Sequence, residues 1–234
     1  MLGDSNPNEV VANIQNEINQ FKGPAGVDIK MAGEQEEQME TAAFLGTALL
    51  VALGLILIIL VTQFNSVSKP LIILSEIVFS IIGVLLGITI FRMEMSIVMS
   101  GIGIVALAGI VVRNGILLVE FTDLMIAQGM SVREAVIEAG RTRMTPVLLT
   151  ATATMLGLIP LAIGFNIDFA TLLTDFEPHI FFGGDNVAFW GPLSWTMIFG
   201  LGFATFLTLI LVPCMYLLAD INSRRVKGWF KKAA

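Results

Sequence analysis

The sequence has few of the residues that carry most enzyme and metal chemistry. Its 234 residues include one cysteine, Cys214, and one histidine, His179. A single cysteine cannot form a disulfide within the chain, and a single histidine has no second histidine with which to bind a metal. The chain also has no Ser/His/Asp set, no phosphate-binding loop and no metal-ligand spacing. The sequence therefore indicates neither an enzyme nor a protein that depends on a metal or cofactor.

Charged residues are scarce as well. They make up 14% of the chain, whereas 56% is hydrophobic, and the mean hydropathy is +0.85. These values lie well outside the range of an ordinary soluble domain. The pI near 4.8 argues against nucleic acid as a partner, because phosphate binding needs a concentrated basic surface. The composition predicts a membrane protein.

Five apolar stretches are long enough to cross the hydrocarbon core as helices, which takes about 20 residues each. They lie near 41–62, 70–91, 96–121, 145–165 and 193–219. Lys and Arg collect in alternate connections and in the tail 220–234, which the positive-inside rule places in the cytoplasm, whereas acidic residues crowd the opposite side. We therefore expect an all-α membrane protein whose transmembrane domain spans 41–219, with its N-terminus on the outer side and its C-terminus in the cytoplasm.

Residues 1–40 have a different pattern. The segment 6–9, "NPNE", is typical of a helix start, Val10, Ile14 and Ile18 follow at helical spacing, and "VDIKMAG" alternates like a strand. One helix and one strand cannot enclose a core, and no signal segment precedes this acidic tail. We expect this chain to be the C-terminal portion of a longer polypeptide. The alternative is a small five-helix protein whose tail is exported by an insertase.

Polar residues interrupt the third span. Arg113 and Asn114 lie within "GIVVRNGILLVEF", and Glu120 follows on the same helical face. A central arginine costs about 2.5 to 3.5 kcal/mol on insertion scales, so a lipid-facing position is unfavourable. Ala106 and Gly109 on the same stripe would let a neighbouring helix cover the charge. Snorkelling to the headgroups is the alternative, but two adjacent polar groups favour a functional site.

Three further polar residues lie near this depth. Thr150 is close to the start of the fourth span, Arg143 precedes that span, and Glu76 lies in the second. A membrane threonine bonds by default to its own preceding turn, and Arg143 could be only a positive-inside anchor. Glu76 could pair with a cation, carry a proton or reach the interface. The residues alone leave these alternatives open.

Two patterns indicate packing and capping. "GVLLG", from Gly83 to Gly87, is a small-residue face that suits close helix approach. "SVRE", from Ser131 to Glu134, with Gly140 closing the stretch, predicts a short capped helix on the cytoplasmic face.

Three segments together carry a family resemblance: "GIVVRNGILLVEF", "EAVIEAGRTRMTPVLLT" and "MLGLIPLAIG". They resemble the C-terminal half of the multidrug efflux pumps of the resistance-nodulation-division superfamily. The five spans resemble the last five of the twelve membrane helices, and "GPAGVDIKMAG" resembles the final helix and strand of the periplasmic porter domain. The connection 166–191 is longer and more apolar than this resemblance leads us to expect.

The resemblance implies a place in the bacterial inner membrane and the export of drugs or other amphiphiles, driven by protons. It also implies a homotrimer that works with a periplasmic adaptor and an outer-membrane channel. The membrane lipid surrounds the spans. A different class of function, a structural or regulatory membrane protein that binds a partner transporter without transporting, remains the alternative.

The resemblance also implies roles for individual residues. In that superfamily, two aspartates of the N-terminal half pair with a lysine, assisted by a threonine and an arginine. Position by position, these fall on Arg113, Thr150 and Arg143, with Asn114 beside them and Glu76 and Glu120 as possible auxiliaries. Arginine does not lose its proton, so Arg113 would exchange salt-bridge partners while the aspartates carry the proton. Without the aspartate helix, we expect the isolated chain to be inactive.

Overall fold

The structure is a computed structural model, and it describes residues 13–14, 16–18, 20, 34–168 and 179–233. The chain divides into two compact units, Met1–Phe44 and Leu45–Ala234. In the first unit, Ile14 and Ile18 are helical, as their spacing predicts. The predicted helix start at 6–9 and the predicted strand at 27–33 lie outside the described residues, so the α/β piece stays a prediction.

Five long helices account for most of the described residues. They are α1 (Glu34–Phe64), α2 (Ser68–Phe91), α3 (Ile97–Ala127), α4 (Val132–Ile163) and α5 (Asp185–Ala233). Each predicted span lies on one of these helices, except that α3 begins one residue after the predicted start at 96 and α4 ends two residues before the predicted end at 165. All five helices are long and apolar enough to cross a membrane. The chain is therefore a mostly helical, multi-pass membrane protein. The orientation of its termini stays a prediction.

Helix α4 begins earlier than predicted. Ser131 caps it: its hydroxyl accepts a hydrogen bond from the Glu134 amide at 3.4 Å, and its amide donates to the Glu134 carboxylate at 3.2 Å. The predicted short helix ending at Gly140 is wrong, because α4 runs through this glycine and continues to Ile163, along the fourth predicted span. A glycine costs a helix only about 1 kcal/mol, and Val136 and Ala139 hold the turn before it against the hydrophobic core.

Helix α5 packs against α2, α3 and α4 and is the centre of the bundle. It packs tightly on α2, where a methyl group added to Gly83 or Gly87 would overlap Phe203 or Phe199 of α5. This confirms the packing face predicted from "GVLLG". Half of the apolar window of α3 is buried (50%), whereas only 6% of that of α1 is. Helix α1 is therefore the most peripheral span.

A small hairpin occupies part of the connection between α4 and α5. Gly164 ends α4 with φ of 68°, a left-handed conformation that favours glycine. Strands β1 (Phe165–Ile167) and β2 (Ile180–Phe182) then pair antiparallel. The Asn166 side-chain amide joins the two ends of the hairpin by donating to the Gly164 and Gly183 carbonyls, both at 2.9 Å. Since α5 begins at Asp185, the connection between α4 and α5 ends before residue 191, where the sequence places its end.

Candidate intramembrane polar site

A cavity of about 180 Å³ opens between α3 and α4. Its lining is Arg113, Asn114 and Leu117 from α3, and Arg143, Pro146, Val147 and Thr150 from α4. All four residues that the sequence singles out for a relay therefore lie around one cavity. These residues come together because α4 begins only five residues after α3 ends and packs against it.

Arg113 is exposed on the outer face of α3. The same face carries the small exposed residues Ala106 and Gly109, and an atom added to Gly109 would meet nothing within 4 Å. Among the residues that the structure describes, no carboxylate lies within 4 Å of the Arg113 guanidinium. The stripe that was predicted to receive a neighbouring helix is therefore not covered by the described part of this chain.

Arg143 is held between the two helices. Its guanidinium carbon lies 4.4 Å from the centre of the Phe121 ring of α3, within the range of a cation–π interaction. Its Nε atom is buried without a hydrogen-bond partner. This contact gives Arg143 a packing role that a simple positive-inside anchor would not have. Because Arg113 and Arg143 line the same cavity, their like charges favour an anion there.

Thr150 behaves as a membrane threonine does by default. Its hydroxyl donates to the carbonyls of Pro146 at 3.0 Å and Val147 at 3.1 Å, in the preceding turn. A hydroxyl oxygen keeps its acceptor capacity when it donates. Thr150 can therefore still accept a hydrogen bond from a group that enters the cavity.

Neither predicted auxiliary residue lines this cavity. Glu120 is exposed on α3. Glu76 is only 2% exposed, and its Oε2 atom accepts a hydrogen bond from the Thr208 hydroxyl of α5 at 2.6 Å. Its Oε1 atom has no hydrogen-bond partner. Burial between helices removes the alternative that Glu76 reaches the interface, and no described cation lies within 4 Å of it.

A second polar cluster joins three helices. Lys69 of α2 forms a salt bridge with Asp123 of α3 at 2.7 Å, and the Tyr216 hydroxyl of α5 donates to the same carboxylate at 2.5 Å. Lys69 is one of the basic residues on the side that the positive-inside rule places in the cytoplasm. The roles of Asp123, Tyr216 and Thr208 cannot be predicted from a local pattern, because their contacts join residues 54, 93 and 132 positions apart.

Comparison with known proteins places these helices in a family. Residues 3–167 match the model of the AcrB/AcrD/AcrF family. Swarming motility protein SwrC of Bacillus subtilis is 36% identical over 90% of this chain, and multidrug resistance protein MdtC of Erwinia tasmaniensis is 30% identical over 88%. A crystal structure of a heavy metal efflux pump superposes with a TM-score of 0.71 at 27% identity and covers 94% of the chain.

The chain spans about a fifth of the length of these relatives: 18% of SwrC and 20% of both MdtC and the heavy metal pump. The match to the family model covers well over half of this chain. The resemblance seen in the sequence is confirmed, and the chain belongs to the AcrB/AcrD/AcrF family of resistance-nodulation-division efflux transporters.

Proposed function

We propose that this chain supplies the basic side of the intramembrane proton relay of a proton-driven efflux transporter. The observation that carries the proposal is the single cavity between α3 and α4, which Arg113, Asn114, Arg143 and Thr150 all line. A charged residue inside a membrane is costly unless it is paired, and it marks a functional site by default. Two arginines at one cavity call for an acidic partner.

The partner in this proposal is a pair of carboxylates from the N-terminal half of the same transporter. They would approach the exposed stripe formed by Ala106, Gly109 and Arg113, where the small residues leave room for a helix. Ionised carboxylates attract Arg113, and protonated ones release it. Because arginine keeps its proton, the carboxylates carry the proton and Arg113 only changes partner. Two arrangements of the packed helices would convert this exchange into motion.

Arg143 and Thr150 assist in this scheme. The contact with Phe121 fixes the Arg143 guanidinium beside the cavity, so a second positive charge stays in place when Arg113 moves. Thr150 offers an oxygen that can accept from a protonated carboxyl. The work is transport rather than catalysis of a covalent reaction.

The proposed setting is the bacterial inner membrane. The complete protein would be a homotrimer that works with a periplasmic adaptor and an outer-membrane channel and exports drugs or other amphiphiles. The names of the relatives cover multidrug resistance and heavy metal efflux, so both substrate classes belong in the transport assay. Because the chain spans about a fifth of its relatives, transport would require the acidic half, and the chain alone would be inactive.

Replacing Arg113 tests the relay. In the complete transporter, Arg113→Ala should abolish proton-driven efflux in proteoliposomes and resistance in cells, while the protein stays in the membrane. Arg133→Ala is the matched control, because it removes the same charge from an exposed position at the start of α4, outside the cavity. Arg113→Lys should retain activity, since it keeps a cation in place. Undiminished efflux by Arg113→Ala would refute the relay assignment.

An antibody against the tail 220–234 would test whether the carboxylates belong to the same polypeptide as Arg113. A native polypeptide several times heavier than 25.3 kDa would supply the carboxylates in the same chain. A native polypeptide of 25.3 kDa that copurifies with no acidic transporter half would favour the structural or regulatory alternative.

A further inference from the structure

The carboxyl group of Glu76 is the most deeply buried acidic group that the structure describes, and it lies outside the cavity that Arg113 lines. We propose that Glu76 is a second proton-binding site within the membrane, and that its occupancy is coupled to α3 through Gly115. The coupling rests on the proposed proton-driven function. The proton binding does not, because it concerns this chain alone.

Three helices enclose the carboxyl. Glu76 projects from α2, its Oε2 atom accepts from Thr208 of α5, and its Oε1 atom lies so close to Gly115 of α3 that an added methyl group would overlap it. Oε1 is buried and has no hydrogen-bond partner. An isolated, ionised carboxylate is very costly in apolar surroundings, and such a group takes up a proton instead.

Water cannot compensate for this burial in the arrangement described. The space beside Glu76 is lined by Phe79, Ala204, Leu207, Thr208 and Leu211, and it leaves no volume for a water molecule. A hydrated cation would need still more room. The structure therefore represents the carboxyl in an occluded state, and a proton could enter or leave only if α2, α3 and α5 moved apart.

Among the residues that the structure describes, no charged group is positioned to replace the proton. Helix α2 packs against α3 and α5, and its own cation, Lys69, is bound to Asp123. On α3, Arg113 lines the other cavity and Glu120 is exposed. On α5, the sequence has no Asp, Glu, Lys or Arg between Asp185 and Asp220, and its Tyr216 donates to Asp123. Glu76 thus faces a hydroxyl and a peptide backbone, not a cation.

The hydrogen bond to Thr208 suits either state of the carboxyl. A threonine hydroxyl both donates and accepts. It can donate to an ionised Glu76, as described here, or accept from the protonated acid while donating to a carbonyl of its own helix. The 2.6 Å separation of the two oxygens is a normal length for both arrangements. Proton uptake therefore needs only a rotation of the Thr208 hydroxyl.

Gly115 supplies the coupling. It lies two residues after Arg113 on the same helix, and its lack of a side chain is what admits the Glu76 carboxyl. A movement of α3 that shifts Arg113 toward or away from a partner must also move the backbone against Oε1. The proton on Glu76 and the position of Arg113 would then favour particular arrangements of the same helix.

Infrared spectroscopy of the full 234-residue chain in lipid nanodiscs tests the proton binding directly. A glutamate in water is ionised at pH 7, so a carboxylic-acid C=O band at that pH reports a buried, protonated acid. We expect this band in the wild type and in Glu120→Gln, and its complete loss in Glu76→Gln. Thr208→Val should shift the band without removing it, because only the hydrogen bond is lost.

The outcomes separate the two proposals. If the band at pH 7 is absent from the wild type, or is unchanged in Glu76→Gln, Glu76 does not hold the proton and the inference is overturned, whatever Arg113→Ala does to transport. The coupling is tested by Gly115→Ala, which should shift or broaden the band, with Gly109→Ala as the control. A band identical to that of the wild type in Gly115→Ala would refute the coupling.

Discussion

Arg113 and Gly115 are only two positions apart on α3, but they face different sides of the helix and two different polar regions. The cavity on one side is basic, partly open and about 180 Å³ in volume, and its guanidinium groups have no described anionic partner within 4 Å. The region on the other side is a single buried carboxyl with no space for water. The first region is suited to receive a partner from outside the chain, whereas the second is complete within it.

This difference predicts how each region responds to change. Substitutions of Arg113 or Thr150 at the open cavity should alter function with little effect on stability, because both side chains are exposed. Substitutions of Glu76, Thr208 or Gly115 should alter stability first, since all three residues are buried.

Gly115→Ala should have the largest effect on stability. The added methyl group would overlap the Glu76 carboxyl, and overpacking of a well-packed site costs about 1 to 3 kcal/mol. We expect a value within that range, because the Glu76 carboxyl is at the end of a flexible side chain but is enclosed. Gly109→Ala, six positions earlier on the same helix, meets nothing within 4 Å and should leave stability unchanged or slightly raised, because alanine is the better helix former.

Reversible unfolding of the chain in mixed micelles would measure both variants. The contrast between buried and open sides of α3 would be refuted by equal free energies of unfolding for Gly115→Ala and Gly109→Ala. A destabilised Gly115→Ala that recovers in the double variant with Glu76→Ala would identify the carboxyl as the group that the methyl displaces.

Thr208→Val and Thr150→Val form the second pair. Thr208 donates to a buried carboxyl on another helix, so its loss leaves that group without a partner and should cost about 1 to 2 kcal/mol. Thr150 bonds only to carbonyls of its own helix, which are already part of the helical ladder, and its loss should change the free energy of unfolding by less than about 0.5 kcal/mol. Similar losses in the two variants would remove the distinction between an interhelical and a local hydrogen bond.

The sequence predicts the spans well, because apolar length is a local property that a membrane selects strongly. The sequence also predicts that Arg113, Arg143 and Thr150 belong to one site, but only through the family resemblance. The residues alone are also consistent with snorkelling of Arg113, anchoring by Arg143 and a local hydrogen bond of Thr150. The role of Glu76 could not be resolved from sequence. Its partner Thr208 is 132 residues away, and nothing in an apolar run indicates which of its residues will face a distant helix.

Gly140 is the opposite case, in which a local pattern predicts a helix end that the structure does not have. Its position after a capped segment predicted a helix end, but α4 continues through it. Helix ends are decided by packing as well as by propensity, and Val136 and Ala139 are buried in the core just before the glycine. Tertiary contacts thus override a preference worth about 1 kcal/mol.

The smallest predicted effect concerns the cation–π contact that fixes Arg143. Phe121→Leu keeps an apolar side chain but removes the ring whose centre lies 4.4 Å from the guanidinium carbon, and should cost about 0.5 to 1 kcal/mol. Phe64→Leu is the control, because the Lys69 ammonium lies 5.9 Å from that ring, at the limit of the interaction, and a smaller loss is expected.

A double-mutant cycle of Phe121→Leu with Arg143→Gln would measure the coupling energy between the ring and the guanidinium. Zero coupling energy would mean that Arg143 is positioned by the membrane surface alone, and the cavity would then lack the fixed second charge that the relay scheme requires.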